Sequence, residues 1–457
     1  MSTTDIVILA AGRGTRMRSS KAKVLHSLAG RPLIEHVLAS ALPLCSGHCV
    51  VVTGHGAEQL EQALAARPLR FVRQTQQRGT ADAVAAALPA LHPHGVVLVL
   101  YGDVPLIERA TLQQLLAAVT TTQMALLTVQ LAEPSGYGRI VRAASGAVAA
   151  IVEERDASAE QRAINEVNTG VLALHTEQLQ RLLPHIGCDN AQGEYYLTDL
   201  IELAVANSIA VATVAAADPS EVAGVNDRAQ LAALERHYQR RQADALLAAG
   251  ATLADPARFD LRGTLAVGED VFIDANVLFE GDNRLGNNVT IGANCHLINA
   301  TVGDNAIIKS HTIIEQSEVG PDSVVGPFAR LRPGTVLAGE CKIGNFVETK
   351  KAQLGHGSKI NHLSYVGDAT LGRGVNVGAG TITCNYDGVN KHQTVIGDGA
   401  FIGSNSALVA PVTIGAGATV GAGSTIAKDV AAERLALTRA KQLTVPGWKK
   451  PTKTEPQ

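Results

Sequence analysis

From about Val267 to Ile426 an aliphatic residue, usually followed by Gly or Asp, recurs at every sixth position: Val267, Ile273, Phe279, Leu285, Ile291, Leu297, and again Ile396, Ile402, Leu408, Ile414, Val420, Ile426. A period of six matches neither the 3.6 of an amphipathic helix nor the 2 of a single strand. It predicts a parallel β-helix in which each hexapeptide makes one flat side of a coil and turns one aliphatic side chain inward. Stacked coils then build the core, each such side chain contributing ~1.5–3 kcal/mol by burial. An antiparallel β domain would instead alternate at two, with irregular turn spacing. The pattern is expected to break near Lys350 to Leu354 and again in a longer excursion from Thr381 to Thr394, and excursions from a solenoid carry function.

The first half has a different pattern. Residues 5–10 (Asp-Ile-Val-Ile-Leu-Ala) read as a buried strand, and further β-branched apolar runs follow at Val50 to Thr53, Val96 to Tyr101, Ala125 to Val129, Val171 to Leu174 and Ile209 to Val214. Ala- and Leu-rich stretches between them, such as Ala57 to Ala66 and Thr111 to Val119, read as helices. The expectation is a mostly parallel, Rossmann-like sheet covered on both faces. After Gly224-Val225-Asn226-Asp227 a helical stretch from Arg228 to Ala249 is expected to link the halves, with Gly250 as its stop. The domains are read as 1–228, 229–249 and 250–457. Ala431 to Gln442 is expected as a short helix, and the chain from Pro446 onward as loose.

Composition narrows the class only slightly. Aromatics are 3% of the chain, so the cores should be aliphatic, and a formal charge of −3 without long like-charge blocks implies neither nucleic acid nor an anionic membrane as partner. The residues from Met1 to Asp5 lead straight into a strand without a basic region and apolar signal core, and no apolar run reaches membrane-spanning length. Cys45, Cys49, Cys188, Cys295, Cys341 and Cys384 form no Cys-x-x-Cys pair and have no histidines at zinc spacing. Reduced thiols in a cytoplasm are the expectation.

Two segments at strand ends carry candidate chemistry. Ala11-Gly12-Arg13-Gly14-Thr15-Arg16-Met17 is a glycine-rich loop that lets backbone N–H groups approach phosphates, with Arg13 and Arg16 to offset charge. It lacks the Gly-Lys-Ser/Thr of a Walker loop, and Met17 stands where a dinucleotide fingerprint needs its third glycine. Tyr101-Gly102-Asp103-Val104-Pro105 ends another strand and aims Asp103 where ligands bind in parallel sheets, although an Asp there also suits a plain turn.

Taken together, the motifs resemble those of the bacterial bifunctional N-acetylglucosamine-1-phosphate uridyltransferases and glucosamine-1-phosphate acetyltransferases, over nearly the whole chain. Leu9 to Met17, Lys23-Val-Leu-His26, Gln77-Arg-Gly-Thr80, Tyr101 to Pro105, Gly136-Tyr-Gly-Arg139, Asn168-Thr-Gly170, Gln192-Gly-Glu-Tyr-Tyr196 and Gly224-Val-Asn226 carry the likeness in the first half. Gly326 to Gly334, Gly344-Asn-Phe-Val-Glu348, Asn361-His-Leu-Ser-Tyr365 and Gly378 to Gly388 carry it in the second. One departure is Ala22, where the family commonly has proline before the lysine.

The resemblance implies an α/β nucleotidyltransferase domain followed by a left-handed parallel β-helix of hexapeptide repeats. It implies a first reaction in which N-acetylglucosamine-1-phosphate attacks the α-phosphate of UTP, with Mg²⁺ on Asp103 and Asn226. Leu9, Ala10, Ala11, Gly12 and Arg16 would hold the triphosphate and Lys23 would face it. Gln74, Gly79 and Thr80 would read uracil. Tyr101 and Gly102 would adjoin the nucleotide, and Gly138, Glu153 and Asn168 the sugar.

The second implied reaction is acetyl transfer from acetyl-CoA to the amine of glucosamine-1-phosphate. His362 would be the base, Arg332 and Lys350 would grip the phosphate, and Tyr365 and Asn376 would orient the sugar. Ala379, Asn385, Tyr386, Ser404, Ala422 and Arg439 would meet acetyl-CoA. The implied product is a cell-wall and lipopolysaccharide precursor, and the implied assembly is a homotrimer. Two other readings remain open on the residues: a single-activity pyrophosphorylase whose β-helix serves assembly or allostery, and a non-catalytic scaffold.

Overall fold

A computed structural model describes residues 3–453, so Met1, Ser2 and the last four residues of the tail expected to be loose lie outside it. The chain divides into two compact units, residues 1–238 and 239–457, and the division falls inside the Arg228–Ala248 helix.

In the first unit a sheet runs in the order Ala210–Ala215, Gln123–Gln130, Glu166–His175, Val96–Tyr101, Thr4–Leu9, Cys49–Thr53, Arg70–Arg73. Every neighbouring pair is parallel except those made by Glu166–His175, which is antiparallel to both of its neighbours. The strands read as unbroken apolar runs because both faces are covered. Ile6, Ile8, Val51, Leu98 and Leu100 pack with Ile34, Val37, Leu60 and Leu112 on one face. Val7, Leu9, Val50, Val52 and Val97 pack with Val84, Ala87, Leu179 and Leu200 on the other. Period-two alternation within each strand thus feeds two cores.

The second unit is a parallel solenoid, the left-handed β-helix. The expected inward positions are buried, from Ile273, Phe279 and Ile291 through Ile402, Leu408, Ile414 and Val420, and they join one continuous core. Only Val267, at the start, is partly exposed. Equivalent corner residues recur one coil later at 18 positions (Asn276 to Asn294) or 17 (Asn288 to Asn305, Asn305 to Asp322). A 17-residue coil has one side a residue short, so Leu297 is followed inward by Val302 and then Ile308.

Three expectations change. The break expected near Lys350 to Leu354 is the strand Glu348–Leu354, where a short side shifts the phase while pairing continues through Lys350↔Gly367 and Leu354↔Leu371. The excursion begins only after the strand Ile382–Cys384, and it widens one coil to 25 residues, from Arg373 to Asp398. Ala431 to Gln442 forms no helix: Leu435–Ala436 pairs with Thr419 and Val420, so the open end of the last coil captures the segment despite its helix-forming composition.

Candidate active sites

The carboxyl ends of the parallel strands open into a cavity of about 250 Å³. Leu9, Ala10, Ala11 and Gly12 come to it from the first strand, Tyr101 and Asp103 from Val96–Tyr101, and Gln74 from just beyond Arg70–Arg73. Lys23, Gly79 and Thr80 complete the expected nucleotide set on its wall. Gly102 stands just behind that wall, its N–H donating to Leu9 O at 2.9 Å. Arg16 is exposed and forms no ion pair with a described residue.

Lys23 is the hub. Its ammonium pairs with Asp103 and lies 3.3 Å from Asn226 Oδ1, bringing together segments 80 and 203 residues away. The backbone secures this convergence, since Val225 N–H donates to Asp103 O at 2.9 Å. A carboxylate oxygen and a carboxamide oxygen that face one cationic group are hard donors of the kind Mg²⁺ takes, so the residues fit the ion. Lys21, by contrast, is exposed. Ala22 has φ −54° and ψ 137°, a backbone conformation proline also adopts, so this departure from the family pattern keeps the loop's path.

Gln74 donates from Nε2 to Gly79 O at 3.1 Å and to Asp82 at 2.8 Å, which leaves its carboxamide oxygen as the acceptor for a base edge. Gly79 is required where it stands: with φ +131°, a Cβ there would lie 2.4 Å from Tyr195 O. The loop is further strapped by Ala81 N–H to Tyr195 O at 3.0 Å and Leu197 N–H to Thr80 Oγ1 at 2.9 Å.

On the sugar side Asn168 N–H donates to Gly138 O at 2.8 Å, and Thr198 Oγ1 donates to Glu153 at 3.1 Å. Burial pushes the Glu153 carboxyl up despite that hydrogen bond. Burial, with Asp103 and Glu153 nearby, also pushes the Tyr101 phenol up, so it serves as a neutral donor.

The sequence reading missed Gln77, Val24 and Glu194, which line the same cavity. Gln77 takes the Arg13 guanidinium at 3.0 Å. Gln77, Val24 and Glu194 all stood inside motifs already noted, and that was their only signal.

In the β-helix unit His362 is exposed at the end of the strand Lys359–His362, its Nδ1 3.2 Å from Asn345 Oδ1 in the register-paired coil. With Nδ1–H donating to that oxygen, Nε2 keeps a free lone pair. His362 O accepts from Gly380 N at 3.4 Å, which sets Ala379 beside it on the next coil.

Arg332 pairs with Glu348 at 2.8 Å, and Lys350 lies beside Lys391 of the excursion. The hydrogen bond and charge of Lys391, then desolvation and the charge of Arg332, pull the Lys350 ammonium down in pKa. Lys350 thus lies within electrostatic reach of two other cations, Lys391 and the Glu348-paired Arg332. Lys391 is a further residue the sequence reading missed, for a lysine in a loop carries no signal of its own.

Tyr365 Oη and Asn385 Nδ2 converge on Gly367, 2.4 and 2.9 Å from where a Cβ would stand, so the expected sugar and acetyl-CoA residues abut. Asn385 is held by Asp368, and Tyr386 donates to Gly388 O at 2.5 Å. Asn376 lies on the coil between Lys359 and Phe401. Asn405 N–H reaches Ala379 O at 2.7 Å and Gly423 N–H reaches Ser404 O at 2.8 Å. Ala379, Ser404 and Ala422 therefore stack on one corner, with Arg439 Nη2 3.5 Å from where a Cβ of Gly421 would stand.

A cavity at the carboxyl ends of a mostly parallel α/β sheet, and an exposed histidine on a hexapeptide solenoid, are the architecture of a nucleotidyltransferase joined to an acyltransferase. Family models agree: residues 6–178 match the MobA-like NTP transferase domain, 261–352 the GMPPB C-terminal domain, and 393–428 the bacterial transferase hexapeptide (six repeats). The chain is 59% identical over 449 residues to the bifunctional protein GlmU of Cellvibrio japonicus, covering 98% of this chain and 99% of that one. It is 56% identical over 453 residues to that of Marinobacter nauticus, covering 99% of this chain and 100% of that one, and 57% over 449 residues to that of Saccharophagus degradans, covering 98% and 99%. The chain belongs to the family of bifunctional GlmU proteins.

Proposed function

We propose that two separate residue sets carry the two reactions of this enzyme. It is a bifunctional enzyme of UDP-N-acetylglucosamine synthesis, a glucosamine-1-phosphate acetyltransferase and a UTP:N-acetylglucosamine-1-phosphate uridylyltransferase. The convergence of Asp103 and Asn226 on Lys23 is the observation that carries the first assignment.

In the 1–228 domain Asp103 and Asn226 hold Mg²⁺, which when bound neutralises phosphate oxygens and polarises them. Lys23 adds a further positive charge at the α-phosphate, and the backbone from Leu9 to Gly12 receives the triphosphate. Arg16, exposed on the loop, is free to close on it. Gln74, Gly79 and Thr80 present donors and acceptors to uracil. Gly138, Glu153 and Asn168 hold the acetylated sugar, with Tyr101 beside the nucleotide. The work is positioning and charge neutralisation for an in-line attack between two anions.

In the 250–457 domain Arg332, Lys350 and Lys391 bind the phosphate of glucosamine-1-phosphate, and Tyr365 and Asn376 turn its amine toward His362. His362 Nε2 takes the amine proton while Asn345 fixes the ring through Nδ1. Ala379, Asn385, Tyr386, Ser404, Ala422 and Arg439 bind acetyl-CoA along the small-residue corner.

A homotrimer is supported by an exposed apolar ladder beside His362. Phe328 stacks on His311 and Phe346 at 4.7 and 5.5 Å, and Phe328, Phe346 and Leu363 are 48%, 56% and 63% exposed. A neighbouring copy would cover such a ladder. A cytoplasmic location is supported by cysteines that are all free. No helix among the described residues is long and apolar enough to cross a membrane.

Lys391→Ala tests the phosphate contact. Loss of one charge-assisted contact to a phosphate is expected to raise KM for glucosamine-1-phosphate about 10–100-fold, with kcat and the KM for UTP little changed. An unchanged KM for glucosamine-1-phosphate would remove Lys391 from the site.

A further inference from the structure

One side chain of the nucleotide cavity is fixed in a direction that its own chemistry leaves open. Gln74 is 7% exposed and lines the cavity, and a carboxamide can present either an acceptor or a donor to a base. Here both Nε2 hydrogens are engaged, one by Gly79 O at 3.1 Å and one by Asp82 Oδ2 at 2.8 Å. A carbonyl and a carboxylate can only accept, so turning the amide over would set Oε1 against two acceptors. Oε1 is thereby left as the group offered to a ligand.

Asp82 does not itself line the cavity. It stands in the first turn of the helix Thr80–Ala87, where an acid suits the helix dipole, and its Oδ1 takes Arg78 Nη2 at 2.8 Å. Neither of those roles calls for Oδ2, which goes to Gln74. Gly79 contributes only its backbone carbonyl, so Asp82 is the side chain that decides which way the amide faces.

We propose, on the reading of Gln74 as the uracil contact, that Asp82 is the positioning residue that makes this domain choose uracil over cytosine. Uracil carries N3–H between two carbonyls, and that N–H can donate to the fixed Oε1. Cytosine has a bare N3 lone pair at the same place, which would meet the lone pairs of Oε1. A site built to hydrogen-bond one ligand rejects an analogue that leaves its buried polar group unpaired.

Asp82→Asn keeps the size of the side chain and reverses one hydrogen bond. Arg78 would hold the new carboxamide by its oxygen, which turns the carboxamide nitrogen toward Gln74 Nε2 and favours the flipped amide. The measurement is kcat/KM for pyrophosphate release from UTP and from CTP, each with N-acetylglucosamine-1-phosphate. The preference for UTP should fall ~10–100-fold in Asp82→Asn, with the CTP value rising in absolute terms. A merely structural defect would lower both values, and that result would overturn the proposal. Gln74→Ala tests the reading beneath it, and should also lose the preference. Loss of the preference in Gln74→Ala but not in Asp82→Asn would overturn the role of Asp82 alone. An intact preference in Gln74→Ala would overturn both.

Discussion

His362→Ala is expected to remove acetyl transfer and leave uridylyl transfer at its full rate. The amine of glucosamine-1-phosphate is protonated in water and must lose that proton to attack a thioester. A positioned base contributes ~10²–10⁴-fold, equivalent to about 3–5 kcal/mol of barrier. His362 is exposed, with Nδ1 anchored on Asn345 Oδ1 at 3.2 Å, so truncation costs little packing and the loss reports chemistry. Thiol release from acetyl-CoA and pyrophosphate release from UTP, followed on one preparation, separate the two outcomes. Equal loss of both rates in a folded protein would contradict the assignment, as would acetylation at the normal rate.

Asp103→Ala should produce the mirror image, abolishing the Mg²⁺-dependent step and sparing acetylation. The substitution removes a hard oxygen donor and the partner of Lys23, and a charge-stabilising group of this kind is worth ~10²–10³-fold in rate. The Val225 N–H bond is to the Asp103 backbone carbonyl and survives, so the loop should hold its path. Chelating Mg²⁺ from the unaltered protein should reproduce the effect. A parallel fall in acetylation, with the fold intact, would count against two independent sites.

Much of this was legible in the sequence because the physics is local. A strand that runs into Leu9-Ala-Ala-Gly12, and another into Tyr101-Gly-Asp103, places both ends at one sheet edge once the strands are parallel, and the cavity is there. The six-residue period announced the solenoid because one inward aliphatic per side is a strict demand. What failed was non-local. Five-residue sides keep the ladder intact while erasing the period, so a paired strand at Glu348–Leu354 read as an interruption. Leu435–Ala436 is strand because the last coil offers it an edge, a fact invisible in its own residues. Lys391 joins Lys350 only through the fold of the excursion.

The central claim is that one chain acetylates first and uridylylates second, and the most direct measurement supplies glucosamine-1-phosphate, acetyl-CoA, UTP and Mg²⁺ together and then omits each in turn. Free thiol should appear without UTP. Pyrophosphate should appear only when acetyl-CoA is present, and should return without it when N-acetylglucosamine-1-phosphate is supplied instead. Pyrophosphate formed directly from glucosamine-1-phosphate with no thiol released, or neither product at all, would contradict the account.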